Sequence, residues 1–229
     1  MTVDLRDEDI LTALDRADEE ERALLILALG ESAGEQGPPF LRRLVRDPLP
    51  AELGLSALAL TPFAERCGSD ATPELLEKFT ASGRKIDTQR WLLYLIARCA
   101  DDRAGDAVLA WLTRRLRGEQ RGRYADPDDI PLAITYLAQH PNCVRLLEAA
   151  GSHLLAMWSE LVKDERRWLS RHWNALATGW DATQAPVPPP TAVEVERMRG
   201  WLAQTSFFQS RVLPEHVQPI LERLNPSRR

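Results

Sequence analysis

A helix–turn–helix pattern that recurs every 33 or 34 residues constrains this chain more than any other feature of its sequence. The segment ILALGESAG (26–34) aligns with LTPFAERCG (60–68) and with LYLIARCAD (93–101), and a second apolar run follows each copy. One helix pair cannot bury its apolar faces alone, so the repeat predicts pairs that stack on their neighbours. The coinciding positions are apolar or small: Leu29, Phe63 and Ile96; Gly30, Ala64 and Ala97; Ala33, Cys67 and Ala100; Leu41, Leu75 and Val108; Val45, Phe79 and Leu112.

Helical spacing of apolar residues also continues outside these copies, and the chain is predicted to be all-α. Asp18, Thr72 and Asp129 stand before apolar runs, where helix N-caps are expected. Alternating apolar and polar runs bounded by hairpin turns are absent from the sequence.

The C-terminal half is predicted to be less regular. A fourth helix pair is expected over 130–158 and one more long helix over 159–180. DATQAPVPPPTA (181–192) predicts a proline-rich extended linker. Two short helices follow over 193–205 and 215–224, and they either cap the last repeat or reach a partner.

The repeat resembles that of HEAT-repeat proteins over about residues 18–117. The resemblance implies a right-handed α-solenoid of about four antiparallel helix pairs in residues 1–180. The linker 181–192 and a C-terminal cap or docking segment, 193–229, would follow it. Solenoids of this family usually bind a partner on their concave surface, and this function comes from the resemblance alone.

The glycines of GESAGEQG (30–37) raise the alternative of a phosphate-binding loop. A P-loop requires a Lys followed by Ser or Thr after its last glycine, and this segment has neither. Glu31 and Glu35 would repel a phosphate, and no strand is predicted before the loop. We therefore interpret the glycines as the first copy of the turn between stacked helices.

Composition excludes several classes of function. The net charge of −5 and the pI near 5.5 argue against general affinity for nucleic acids or membranes. No window approaches 18 uninterrupted apolar residues, and the acidic N-terminus lacks the apolar region of a signal peptide. Three widely spaced cysteines do not suggest a disulfide framework, so a reducing cytoplasm is predicted.

No metal, cofactor or catalytic motif emerges from the sequence. The four histidines show neither the i, i+4 spacing of a helical zinc site nor a C-x-x-C companion. His140 and Cys143 lie three apart beside Pro141, and we interpret them as a turn histidine and a buried thiol. DPDD (126–129) lacks the glycine and closing glutamate of a calcium loop and is better explained as helix capping.

Two clusters remain as candidate partner-binding residues. The first is an arginine cluster, explained either as a solvated helix C-terminus, as a site for an acidic partner, or as a nucleic-acid contact. The second combines tryptophan with arginine, which is typical of protein interfaces, although an irregular C-terminal core would also use these tryptophans. The residues are Arg114, Arg115, Arg117, Arg121 and Arg123 in the first cluster, and Trp168, Arg171 and Trp173 in the second.

These observations favour a non-catalytic scaffold, adaptor or regulator that binds another protein, and an acidic surface on that protein is one feature that it could recognise. The alternative is an enzyme, because HEAT-like DNA glycosylases and HEAT-type bilin lyases carry chemistry on similar solenoids. Trp91, Trp111, Asp101 and Asp106 are the residues of the type that such glycosylases use, but no family motif matches them by position. The partner, its pathway and the oligomeric state are left open.

Overall fold

The computed structural model describes residues 5–83, 86–118, 128–178, 186–205 and 214–225, and this part of the chain is all-α. It contains short 3₁₀ turns at Pro50–Glu52, Gly68–Ala71, Asp102–Ala104, Pro141–Cys143 and Trp158–Glu160. The α-helices are α1 (Asp7–Leu14), α2 (Glu19–Ala28), α3 (Gly37–Arg46), α4 (Leu53–Cys67), α5 (Thr72–Ala81), α6 (Ile86–Cys99), α7 (Gly105–Leu116), α8 (Asp129–Gln139), α9 (Val144–Ala156), α10 (Lys163–His172), α11 (Asn174–Ala177), α12 (Ala192–Gln204) and α13 (Pro214–Leu224).

Helices lie at the places along the chain where the repeat predicts them, as α2 and α3, α4 and α5, α6 and α7, and α8 and α9. Asp18 caps α2 in a capping box with Glu21, as its position suggested. The large apolar side chains that coincide in the three aligned copies are all buried, with at most 3% of any one exposed. The apolar periodicity therefore identified buried positions of these helices correctly.

The prediction of one long helix over 159–180 is wrong. The chain is extended at Val162, whose N–H donates to the Glu165 carboxylate and so starts α10 afresh. Trp173 is also extended, with φ −139° and ψ 90°, and its side chain is completely buried. Burial of this indole ends α10 and separates it from the single turn of α11.

The chain divides into two compact units, Met1–Glu74 with Phe208–Arg229 and Leu75–Phe207. In the first unit, α4 packs on both α2 and α3, while α1 and α13 pack on α2. The end of α2 approaches α4 closely, because a Cβ on Gly30 would lie 3.1 Å from the Pro62 Cβ. The small residue at this repeat position thus permits a close contact with α4.

The C-terminal helix α13 covers the N-terminal helices of the first unit. Val217, Leu221 and Leu224 are its buried side chains. Arg16 donates to the Leu224 carbonyl oxygen at 2.9 Å, and Asn225 donates to the Asp9 carbonyl oxygen at 2.8 Å. The helices predicted at the C-terminus therefore have different partners, since α12 packs on α8 and α10 in the second unit.

A buried carboxylate organises the glycine-rich loop of the first unit. Asp7 is 1% exposed and accepts hydrogen bonds from the Gly37 N–H at 2.7 Å and the Ser32 hydroxyl at 2.5 Å. Arg66 from α4 reaches the same carboxylate at 3.0 and 3.1 Å. The loop thus does surround an anion, but the anion is the chain's own Asp7.

In the second unit, α8 lies at the centre and contacts α6, α7, α9, α10 and α12. Every residue from Asp129 to Leu137 is buried. Two buried carboxylates face one buried guanidinium beside this helix. Arg115 Nη2 lies 3.0 Å from Glu165 Oε1, and Arg115 Nε lies 3.8 Å from Asp129 Oδ2.

Candidate functional site

A cleft of about 590 Å³ opens in the second unit beside α10, α11 and the start of α12. One wall comes from the end of α10 and from α11, and the other from the proline-rich segment and the first turns of α12. The residues that line it are Ser170, Arg171, Trp173, Asn174, Ala175, Thr178, Pro188, Pro189, Thr191, Val193, Glu194 and Arg197. Its volume falls within the range of small-molecule and peptide-anchor sites.

The floor of the cleft rests on Trp173. Its indole N–H donates to the Pro188 carbonyl oxygen at 2.8 Å, so the tryptophan holds the proline segment in place. Gly151 of α9 leaves room for this arrangement, because a Cβ there would lie 2.9 Å from the indole and 2.8 Å from the Val187 Cβ. Packing on α9 therefore sets the position of both walls.

Glu194 joins the two walls through its carboxylate. Oε1 accepts from the Asn174 N–H at 2.6 Å, and Oε2 accepts from the Thr191 N–H at 2.7 Å and hydroxyl at 2.8 Å. Burial raises the pKa of Glu194, but these hydrogen bonds outweigh burial and hold the pKa below its ordinary value. Because both oxygens are occupied, this carboxylate is committed to the fold.

The rim of the cleft is cationic. Arg171 and Arg197 are exposed, and Arg197 donates to the Arg171 carbonyl oxygen. Within the described residues the Arg171 guanidinium makes no hydrogen bond or ion pair. Burial lowers the pKa of the neighbouring His172, and the positive charges of Arg197 and Arg171 lower it further. The two guanidinium groups thus act on one small region with the same sign.

An aromatic cluster supports the end of α10 that carries Arg171. The Trp168 ring stacks on His172, with centroids 4.3 Å apart, and meets the Trp201 ring edge-on at 5.1 Å. His172 Nδ1 lies 2.8 Å from the Trp168 carbonyl oxygen. Trp168 is 8% exposed, so it contributes to the core of the second unit and not to its surface.

The structure separates the residues of the predicted arginine cluster. Arg114 and Arg117 are exposed, whereas Arg115 is 7% exposed and engaged by the two buried carboxylates. Arg115 therefore does not offer its guanidinium to a partner. Arg121 and Arg123 lie outside the described residues, so a partner site on this loop stays a prediction.

The structure divides the predicted tryptophan–arginine cluster between the cleft and the core, since Trp168 does not line the cleft. Arg171 and Trp173 both line the cleft, with Arg171 at the rim and Trp173 in the floor. Sequence reasoning missed Arg197 and Glu194, which complete the site from α12. The sequence does contain a pattern that predicts the role of Glu194, because T-x-x-E is typical of a helix capping box. Thr191 and Glu194 form such a capping box at the start of α12.

The hydroxyl, imidazole and thiol groups that could support catalysis lie outside the cleft lining and are held in internal contacts. Tyr136 donates to the Asp101 carbonyl oxygen at 2.5 Å and its ring contacts His140 at 4.7 Å. Burial raises the pKa of the Cys143 thiol and lowers that of His140, which opposes formation of a thiolate–imidazolium pair. Cys143 is 2% exposed, which agrees with the buried thiol predicted from sequence.

Residues of the glycosylase type also lie apart from the cleft. Trp111 is 2% exposed and packs near Phe79, with ring centroids 6.5 Å apart. The Asp101 carboxylate binds the Arg103 side chain, with the shortest separation at 2.6 Å. Among the described residues no group of three or more His, Cys, Asp or Glu side chains is arranged to hold a metal ion.

Comparison of the chain with protein-family models, with curated proteins and with solved structures gives no match. No helix in the described segments is both long enough and apolar enough to cross a membrane. Inference about function therefore depends on the geometry of the cleft.

Proposed function

We propose that this chain is a non-catalytic scaffold or adaptor that binds another protein at the cleft between α10, α11 and α12. We further propose that its helix pairs form a right-handed, HEAT-like α-solenoid of about four pairs. Packing within each unit supports this arrangement. First helices contact first helices, as in α2 with α4 and α6 with α8, and α7 contacts the next second helix, α9.

The cationic rim is the observation that carries the proposal. Arg171 is exposed and its guanidinium has no partner among the described residues, while the nearby Glu194 is saturated by hydrogen bonds from the fold. The charge of Glu194 attracts Arg197, so this carboxylate offsets one of the two arginines and leaves one positive charge in excess at the rim. An acidic partner would neutralise this excess positive charge, and arginine beside apolar surface is a frequent interface anchor.

The other cleft groups also suit binding more than reaction. Val193 is 69% exposed and Pro189 is exposed, so the cleft offers apolar surface next to its charges. The Ser170 hydroxyl and the Asn174 amide add neutral hydrogen-bonding groups at the opposite wall. Such a mixture of apolar contact, neutral donors and arginine is characteristic of protein interfaces.

A matched pair of charge reversals tests the proposal. Arg171→Glu changes the cleft, and Arg145→Glu changes an exposed arginine of α9 in the same unit by the same charge. Tagged full-length protein and both variants are used for affinity purification from the native cell extract, followed by mass spectrometry. We expect a stoichiometric partner to be retained by the wild type and Arg145→Glu and to be lost with Arg171→Glu.

Retention of the partner by Arg171→Glu would overturn the assignment to the cleft. An additional variant, Arg114→Glu/Arg117→Glu, tests the arginine cluster predicted from sequence, and loss of the partner in this variant alone would move the site there. Recovery of no partner, combined with substrate turnover by the purified protein, would overturn the scaffold function itself.

A further inference from the structure

We infer that the cleft receives a short, extended peptide segment that carries an acidic side chain next to a large apolar one. This inference rests on the proposed function and specifies what part of the partner is recognised. The acidic group would pair with Arg171 and Arg197, and the apolar side chain would pack on Val193 and the proline wall.

The dimensions of the cleft limit what enters it. An α-helix about 10–12 Å across with a 5.4 Å pitch occupies roughly 420–610 Å³ per turn. A cleft of about 590 Å³ therefore has the volume of about one helical turn, so a ligand that fills it contributes only a few residues. A few residues in an extended conformation fit this volume better than the two or three turns that helix-in-groove recognition uses.

The proline wall excludes recognition by strand addition. Pro188, Pro189 and Pro190 have no N–H groups, and the Pro188 carbonyl oxygen already accepts the Trp173 indole N–H. A ligand strand would therefore lack the ladder of main-chain hydrogen bonds on that side. Affinity must come from side chains, namely from apolar contact with the wall and from charge pairing at the rim.

Charge selects the acidic class of segment. The cleft is lined by two exposed guanidinium groups and by one carboxylate whose oxygens already accept hydrogen bonds from the fold, so its charged groups carry one positive charge in excess. Arginine pairs with carboxylates through parallel N–H···O hydrogen bonds, which adds direction to the attraction. A basic segment would place like charges against this rim and be rejected.

Defined peptides test the inference with the full-length protein. The probes are Gly-Gly-Asp-Leu-Asp-Gly-Gly, its lysine counterpart Gly-Gly-Lys-Leu-Lys-Gly-Gly, and Gly-Gly-Asp-Gly-Asp-Gly-Gly, which lacks the apolar side chain. Binding is followed by NMR, in which weak binding remains visible, at the Trp173 indole N–H and the His172 imidazole. Trp173 lines the cleft, and the charges of Arg171 and Arg197 act on His172. Acetate is the control for a simple anion.

We expect the acidic leucine peptide to shift the Trp173 resonance in a saturable way and to raise the pKa of His172, because a carboxylate offsets the two arginines. The lysine peptide and the leucine-free peptide should bind about tenfold more weakly or worse. Arg171→Glu should abolish the response, and Arg145→Glu should preserve it. Because the exposed Arg171 guanidinium has no partner among the residues that the structure describes, this variant is expected to fold like the wild type.

Several outcomes would overturn the inference. These are equal binding of the acidic and lysine peptides, an equal response to acetate, no response to any peptide, or unchanged binding by Arg171→Glu. If the affinity purification finds a partner whose binding depends on Arg171 while the acidic peptide does not bind, the inferred peptide specificity is wrong and the proposed binding function is retained. If neither partner retention nor peptide binding depends on Arg171, the proposed function of the cleft is wrong as well.

Discussion

Removing the charge of Asp7 should destabilise the first unit strongly, because this carboxylate is the anion around which the glycine-rich loop folds. Asp7→Asn preserves the size of the side chain and removes one negative charge. In the wild type the carboxylate accepts hydrogen bonds from Ser32, Gly37 and Arg66, and only 1% of the residue is exposed. The amide cannot accept all of these bonds, and its own N–H₂ group faces donors.

The expected magnitude follows from what remains around Arg66. Breaking a buried ion pair by removing one partner costs about 3–5 kcal/mol. Arg66 keeps three carbonyl acceptors, those of Leu29, Ser32 and Gly34, at 2.7 to 2.8 Å, so its guanidinium is only partly deprived of partners. We therefore expect a loss of about 3 kcal/mol in the free energy of unfolding, at the lower end of that range.

Urea unfolding followed by two probes measures this loss. All seven tryptophans lie between Trp91 and Trp201, in the second unit, whereas far-ultraviolet circular dichroism reports helices of both units. The dichroism transition should move to lower urea by about 1.5 M for a slope near 2 kcal/mol per molar. Glu8→Gln is the control, since it removes one exposed charge from the same first turn of α1.

The pH dependence of the free energy of unfolding independently tests the direction of the Asp7 pKa shift. Burial raises the pKa of Asp7, but hydrogen bonds from Arg66, Ser32 and Gly37 outweigh burial and lower the pKa below its ordinary value. The stabilisation is thus fully present above the unfolded-state pKa of about 3.9 and is lost as the pH falls through the lower folded-state pKa. Asp7→Asn should lack this acid-induced loss. If Asp7→Asn lowers the free energy of unfolding at pH 7 no more than Glu8→Gln does, the charge of Asp7 does not stabilise the loop.

Two further substitutions test the second unit, both measured by urea unfolding with tryptophan fluorescence. Arg115→Met should cost about 3–5 kcal/mol because it leaves two buried carboxylates without their cation, while the exposed Arg114→Met should stay within about 0.5 kcal/mol. Equal effects would show that Arg115 is not the buried cation. Gly151→Ala should cost about 1–3 kcal/mol through its clash with Trp173 and should perturb the cleft, whereas Gly200→Ala, with open space around it, should stabilise by about 0.5–1 kcal/mol. A neutral or stabilising Gly151→Ala would contradict the packing beneath the cleft.

Local patterns predicted a large part of the helical structure. The helices and their buried positions followed from apolar spacing, because residues three or four apart in a helix lie on the same face. The helix expected over 159–180 failed for a complementary reason. Trp173 breaks it by inserting into a core that α9 and Val187 provide, and no local pattern contains those partners.

The candidate site was predicted only in part. Arg171 and Trp173 were identified as types of residue that interfaces use, and both line the cleft. Arg197 was missed because it lies 26 residues away, on a helix that packs beside α10 only in the folded chain. Arg115 resembled its exposed neighbours in sequence, yet it turns inward to a glutamate 50 residues further along the chain.

Apolar periodicity along the sequence was sufficient to predict that the described part of the chain is helical and which apolar positions its helices bury. Tertiary structure alone decided the roles of the charged residues. Asp7 and Arg66 lie 59 residues apart, yet together they fill the loop that resembled a phosphate site. The physical reason is that an apolar side chain can be buried against any apolar surface of suitable shape. A charged group is buried only where another part of the chain supplies a counter-charge and hydrogen bonds.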